Sequence, residues 1–149
     1  GVIWWNLIDG WPQISDAVVD YYYTAKLAYH YIKRSQNPVC LMFSEPEDGK
    51  IKLVAVNDLQ QDSTLTYKVT NLYDGTAVCK GDFVAKENSA EEITEVALPD
   101  KAGFYLIEWY IDGVKYTNHY MTETQNISYR DYLKAIEKCG YDEFSGFVD

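Results

Sequence analysis

The sequence predicts a mainly β chain: an antiparallel sandwich of about seven short strands, preceded by one strand–loop–helix unit and closed by a helix. Three observations carry this. Residues 38–122 alternate apolar and polar side chains with a period of two, and Asp-Gly pairs punctuate that stretch. The opening residues instead form a continuous aromatic and apolar run. Alternation marks strands with one buried face, whereas a continuous run fits a strand covered on both faces.

The first element is VIWWNLI, residues 2–8, read as a buried strand of the parallel type. A turn-rich link, DGWPQ, leads to DYYYTAKLAYHYIKRSQN, where Leu27, Tyr31 and Ile32 recur at helical spacing with Tyr23 one turn earlier. Lys33 and Arg34 suit the negative end of that helix, and Asn37-Pro38 ends it. Residues 1–37 therefore form the first region.

The second region, 38–122, divides into strands at 38–44, 51–57, 63–71, 76–85, 91–98, 103–111 and 114–121. Leu65, Tyr67 and Val69 face one way, and Thr64, Thr66, Lys68 and Thr70 the other. Asp48-Gly49, Asp74-Gly75 and Asp112-Gly113 tolerate the positive φ angles of tight hairpins. Gln60-Gln61-Asp62, Glu87-Asn88-Ser89 and Pro99-Asp100-Lys101 supply the other breaks. Short strands at regular spacing predict an immunoglobulin-like sandwich, without the Cys…Trp…Cys spacing of antibody domains. Trp109, with Tyr105, Ile107 and Ile111, is the expected aromatic core of one sheet. In the third region, 123–149, Ser128 is the expected N-cap of a helix ending at Gly140, with Tyr129, Tyr132, Leu133 and Ile136 on its apolar face.

Composition narrows the function. The 149 residues include 13 Lys and Arg against 23 Asp and Glu, a net charge of −10, which argues against nucleic acid and anionic membrane surfaces. No apolar run reaches the length of a membrane span. The three cysteines, Cys40, Cys79 and Cys139, match neither a zinc pattern nor a disulfide framework and read as small buried hydrophobes. Glu45, Glu47, Asp48, Glu91, Glu92 and Glu95 fall in turns or on solvent faces, so they form no converging acid/base pair, and the Glu45–Gly49 turn lacks calcium-loop spacing. His30 and His119 are isolated, and there is no phosphate loop or nucleophile elbow. No cofactor or metal site is predicted.

The opening stretch is the exception. A buried strand ending in Asp9-Gly10-Trp11-Pro12, then a loop and a helix, is one βα unit, and (β/α)8 barrels place their active sites at such strand ends. Tryptophan there can stack on the apolar C–H face of a sugar ring; equally, Trp4, Trp5 and Trp11 can serve as core and hinge packing.

IWWNLIDGWPQISDAVVDYYYTAKLAYHYIKRSQNPV resembles the last β/α unit of the catalytic barrel in family 2 glycoside hydrolases, in their β-mannosidase-like branch. There a W-Q-L-N-D-x-W-P segment is followed by a D-Y-Y-x-x-x-K-x-A-Y helix and a K-R-x-x-x-P-V exit into a β-sandwich. Trp5, Leu7, Asp9, Trp11 and Pro12 match the strand and loop; Asp20, Tyr21, Tyr22, Lys26, Ala28 and Tyr29 match the helix; Lys33, Arg34, Pro38 and Val39 match the exit. The sequence departs at Asn6 and Ile8, where that branch has Gln and Asn, and at Tyr23, which replaces Gly. Trp5-Asn6 is similar instead to β-glucuronidase-like members.

The resemblance implies a retaining β-glycosidase whose two catalytic glutamates lie on earlier barrel strands, leaving no catalytic residue in this chain. It implies substrate-binding positions at Trp5, which would wall the sugar site, and at Asp9 and Trp11, which would shape the loop around it. The chain then reads as a carboxy-terminal piece, inactive alone, whose partners are the rest of the barrel and the carbohydrate substrate. A strand at 2–8 lacking its parallel neighbours is expected to fold onto the sandwich, lose order or pair with a second copy. Two alternatives stand beside this reading: a free-standing carbohydrate-binding module using sandwich tyrosines, and a structural adaptor without sugar contact.

Overall fold

The computed structural model describes residues 3–98, 101–122 and 128–140. Val2, the Pro99-Asp100 break and the closing region's residues 123–127 and 141–149 lie outside the described residues. The chain divides into two compact units, with the boundary between Gln36 and Asn37.

The unit from Asn37 to Gly140 is a β-sandwich with a helix. Its strands are β1 (Val39–Phe43), β2 (Lys50–Asn57), β3 (Ser63–Asn71), β4 (Ala77–Ala85), β5 (Ser89–Ala97), β6 (Gly103–Ile111) and β7 (Val114–Thr122). They form a three-stranded sheet, β1-β2-β5, and a four-stranded sheet, β4-β3-β6-β7, with every pairing antiparallel. The immunoglobulin-like pattern thus holds, with the fourth strand beside the third; in constant-type domains it pairs with the fifth.

Local chemistry accounts for the hairpins. Asp112 and Gly113 have φ of 50° and 78°, so a two-residue turn joins β6 to β7 with Ile111 opposite Val114. Asp48 and Gly49, at 48° and 72°, likewise turn the chain into β2. Alternation then sets the core: Leu65 and Val69 of β3 are buried while Thr64, Thr66 and Lys68 are exposed. Trp109 is fully enclosed and stacks on Tyr116, with ring centroids 5.7 Å apart. Around it pack Leu41, Phe43, Ile51, Leu53, Tyr105 and Ile107, and Ile111 is half-buried.

β6 is buried on both faces in its first half, because Phe104 and Leu106, which point away from the sandwich core, are covered too. Phe104 stacks on His119 at 5.1 Å and meets Tyr132 of the closing helix α2 (Tyr129–Lys138) at 6.3 Å. In α2 the buried side chains are Ala135 and Ile136, followed by Cys139 at its C-cap; Tyr132 and Leu133 are half-buried, but Tyr129, expected on the packed face, is exposed. Ser128 occupies the N-cap position, yet its hydroxyl makes no capping bond; its carbonyl accepts from the Asp131 and Tyr132 amides instead. Gly140 ends the helix with φ 73°.

The other unit corrects two expectations. No strand forms over the described part of residues 2–8; one parallel bridge, Ile8 with Val19, stands in its place. A strand exists only where a partner takes its backbone groups. The partner this segment finds is its own return loop: the Val18 and Val19 amides donate to the Asn6 and Leu7 carbonyls, and the Asp9 amide to the Val19 carbonyl. The side chains expected inside are outside, with Trp5 75% and Leu7 63% exposed.

The helix α1 (Leu27–Ser35) also begins one turn after Tyr23. Asp20 is the reason. Its carboxylate accepts from the Tyr22 and Thr24 amides, both at 2.8 Å, and Tyr23 takes a φ of 67° in the resulting turn. Val19 then bridges Ala25, which keeps the chain extended up to Lys26.

Candidate functional site

The opening unit is organised around Asp9. A carboxylate carried on an exposed loop would normally face water, but the Asp9 side chain is 1% exposed. Three side chains from the following residues close over it. The Ser15 hydroxyl and the Gln13 amide donate to Oδ1, and the Lys26 ammonium donates to Oδ2 at 3.0 Å. Lys26 Nζ also donates to the Ser15 carbonyl at 3.2 Å, and the Ser15 hydroxyl accepts from the Ala17 amide. The Ser15 hydroxyl and then the Lys26 ammonium hold the Asp9 carboxyl below its usual range, against the opposing effect of burial.

The sequence groups Trp5, Asp9 and Trp11 as one substrate-facing set, and the structure assigns them different surroundings. Asp9 is turned inward and its oxygens are occupied by protein donors. Trp5 and Trp11 are 75% and 64% exposed, on either side of it in the chain. The Trp5-Asn6 peptide is cis. Trp4, Tyr22 and Tyr23 are exposed as well, so this unit presents aromatic rings to its surroundings at an unusual density. Rings of this kind can stack on a sugar or be covered by protein. Lys26 and Ser15 were invisible as site residues, because only the folded loop brings them to Asp9; the sole signal in the sequence is Lys26 within the helix motif.

In the sandwich, the tyrosines are largely committed to packing. Tyr105 is buried, Tyr67, Tyr73, Tyr116 and Tyr120 are half-buried, and Tyr110 is exposed at 42%. The acidic side chains on β5 pair locally, Glu95 with Lys50 at 2.6 Å and Glu92 with Lys52 at 3.4 Å. Among the described residues, no three His, Cys, Asp or Glu side chains converge as a metal site would require. Nor is any described helix long and apolar enough to cross a membrane.

No family model matches the chain. It is similar to β-mannosidase B of Aspergillus niger, 33% identical over 76 residues that cover 43% of this chain and 9% of that protein. β-Mannosidase B of Aspergillus clavatus is 27% identical over 100 residues, or 59% of this chain and 12% of that protein. Among solved structures, β-D-mannosidase from Dictyoglomus thermophilum superposes with a TM-score of 0.63 and 25% identity, covering 78% of this chain and 15% of that one. The chain thus spans between 9% and 15% of the length of each of these proteins.

Proposed function

We propose that this chain, β-mannosidase-like in sequence and fold, is the carboxy-terminal accessory region of a retaining β-glycosidase that hydrolyses β-linked mannosides. Its opening unit supplies the last barrel segment, and its sandwich packs beside the barrel. The observation that carries this reading is the pair of exposed indoles, Trp5 and Trp11, mounted on either side of a buried, fully engaged Asp9. Such rings give a pyranose an apolar platform and contribute orientation rather than proton transfer.

Retaining hydrolysis needs two carboxyl groups about 5–5.5 Å apart, one donating a proton and one attacking the anomeric carbon. The described carboxylates of the opening unit do not form such a pair: Asp9 accepts from Ser15, Gln13 and Lys26, Asp20 accepts from two backbone amides, and Asp16 is exposed. On this reading both catalytic groups come from outside the 149 residues. Incubation with an aryl β-mannoside tests it: the purified chain releases no aryl alcohol, and turnover that copurifies with it overturns the proposal. The complete protein is expected to hydrolyse the same substrate with retained anomeric configuration, read by proton NMR at early times.

Without the barrel, the side chains of Trp4, Trp5 and Leu7 form an uncovered apolar patch, and the segment is expected to associate with a second copy. Sedimentation velocity over a concentration series reads this directly; a concentration-independent monomer refutes it.

A further inference from the structure

The Asp9 cluster has a division of labour that the motif alone does not express. The Asp9 side chain is 1% exposed, and its oxygens accept from Ser15, Gln13 and Lys26, so in this fold it holds the loop together. Lys26 makes two bonds from one ammonium: to the Asp9 carboxylate at 3.0 Å and to the Ser15 carbonyl at 3.2 Å. Asp9 closes the first arm of the loop, Ser15 closes the second, and Trp11 lies between them. Lys26 itself stands at the N-cap of α1, with its own amide bonded to the Val18 carbonyl, so its stem starts from a fixed point.

We infer that Lys26 is a positioning residue: its ammonium clasps both arms of the 9–15 loop and thereby fixes where Trp11 stands relative to Trp5 for sugar binding. The charge-assisted bonds make the clasp directional, and its two acceptors lie six residues apart in the chain, so losing it frees the intervening loop. The indole of Trp11 is held only weakly by burial, being 64% exposed. This deepens the glycosidase reading and rests on it for the sugar.

The test has two arms. In 1H–15N spectra of the 149-residue chain, the Trp11 indole resonance is assigned through Trp11→Phe and the Trp109 resonance serves as the record of the sandwich. Lys26→Met is expected to shift and broaden the Trp11 signal while that of Trp109 stays in place, and Lys26→Arg, which retains a donor cation, to restore it in large part. If Lys26→Met does not fold, Asp9→Asn decides in its stead, since it removes the charge that the Lys26 ammonium grips on one arm of the loop. An unmoved Trp11 signal in the variant that folds overturns the inference.

In the complete protein, Lys26→Met is expected to raise KM for an aryl β-mannoside roughly tenfold with a much smaller change in kcat, as displacement of a binding platform predicts. An equal fall in kcat with KM unchanged overturns it. If the complete wild-type protein cleaves no β-glycoside, the glycosidase reading fails, and the indole spectra still decide the clasp.

Discussion

The Asp9 carboxylate accepts from three donors, and that determines how the opening unit responds to acid. Its pKa in the fold lies below the ordinary value of 3.8, mainly through the Ser15 hydroxyl and with help from Lys26. The stabilisation it contributes is therefore fully present above that ordinary value and is lost as pH falls through the lower folded one. Acid titration of tryptophan fluorescence is expected to hold level from neutral pH down to about pH 4 and then fall, with Asp9→Asn removing the part of the transition due to the opening unit. Asn57 plays an equivalent role in the sandwich. It is fully buried, donates to the Gln61 and Ala85 carbonyls and accepts from the Leu59 amide, tying the β2–β3 loop to the end of β4. Asn57→Leu strands those groups and should cost roughly 3 kcal/mol in urea unfolding. Neither residue's buried role is legible in the sequence. Asp9 is singled out there only through the resemblance, as a residue shaping the sugar loop, and Asn57 only as the end of the 51–57 strand; their partners become neighbours on folding. Cys40 is a milder case: burial, with Asp58 nearby, pushes its thiol up to about 11. At pH 8 it should react with thiol reagents far more slowly than a free cysteine.

At the scale of elements, the seven strands were legible to within about two residues because each one's alternation and turn chemistry agree. The β6–β7 hairpin is the clearest instance, with Gly113 at φ 78°. Gly113→Val is expected to destabilise by about 1–3 kcal/mol, measured as a lower denaturation midpoint with unchanged slope. The helices were less legible at their ends. α1 starts late because Asp20 and the Val19–Ala25 bridge hold the preceding residues, and no spacing rule contains that competition. In α2, Tyr129 fits the apolar stripe by periodicity, yet it lies in the first turn, exposed, while Ile136 is buried near the other end. Ile136→Ala should therefore cost about 2–5 kcal/mol, and Tyr129→Ala much less. The comparison is made by chemical denaturation of both variants.

For the whole molecule, the boundary between Gln36 and Asn37 separates two kinds of stability. The 37–140 unit has an enclosed core centred on Trp109, so expressed alone it is expected to unfold cooperatively, with Trp109 emission blue-shifted until the transition. A gradual, non-cooperative loss of that signal would count against an independent unit. Among its described residues, the opening unit instead has a loop bonded by Lys26 and backbone bonds to its return segment, and its three tryptophans are exposed. Its aromatic string could be read from the chain, as could its likeness to the last segment of a β-mannosidase-like barrel. What the sequence determined by itself was everything that depends on neighbours along the chain: alternation, tight turns, the two helices and the sandwich they imply. Tertiary structure alone decided that residues 3–8 are not a strand, that Asp9 faces inward, and that Lys26 and Ser15 belong with it. The reason is physical. A strand is defined by the partner that takes its hydrogen bonds, and a carboxylate by the donors that fold around it, and neither is encoded by the residues on either side.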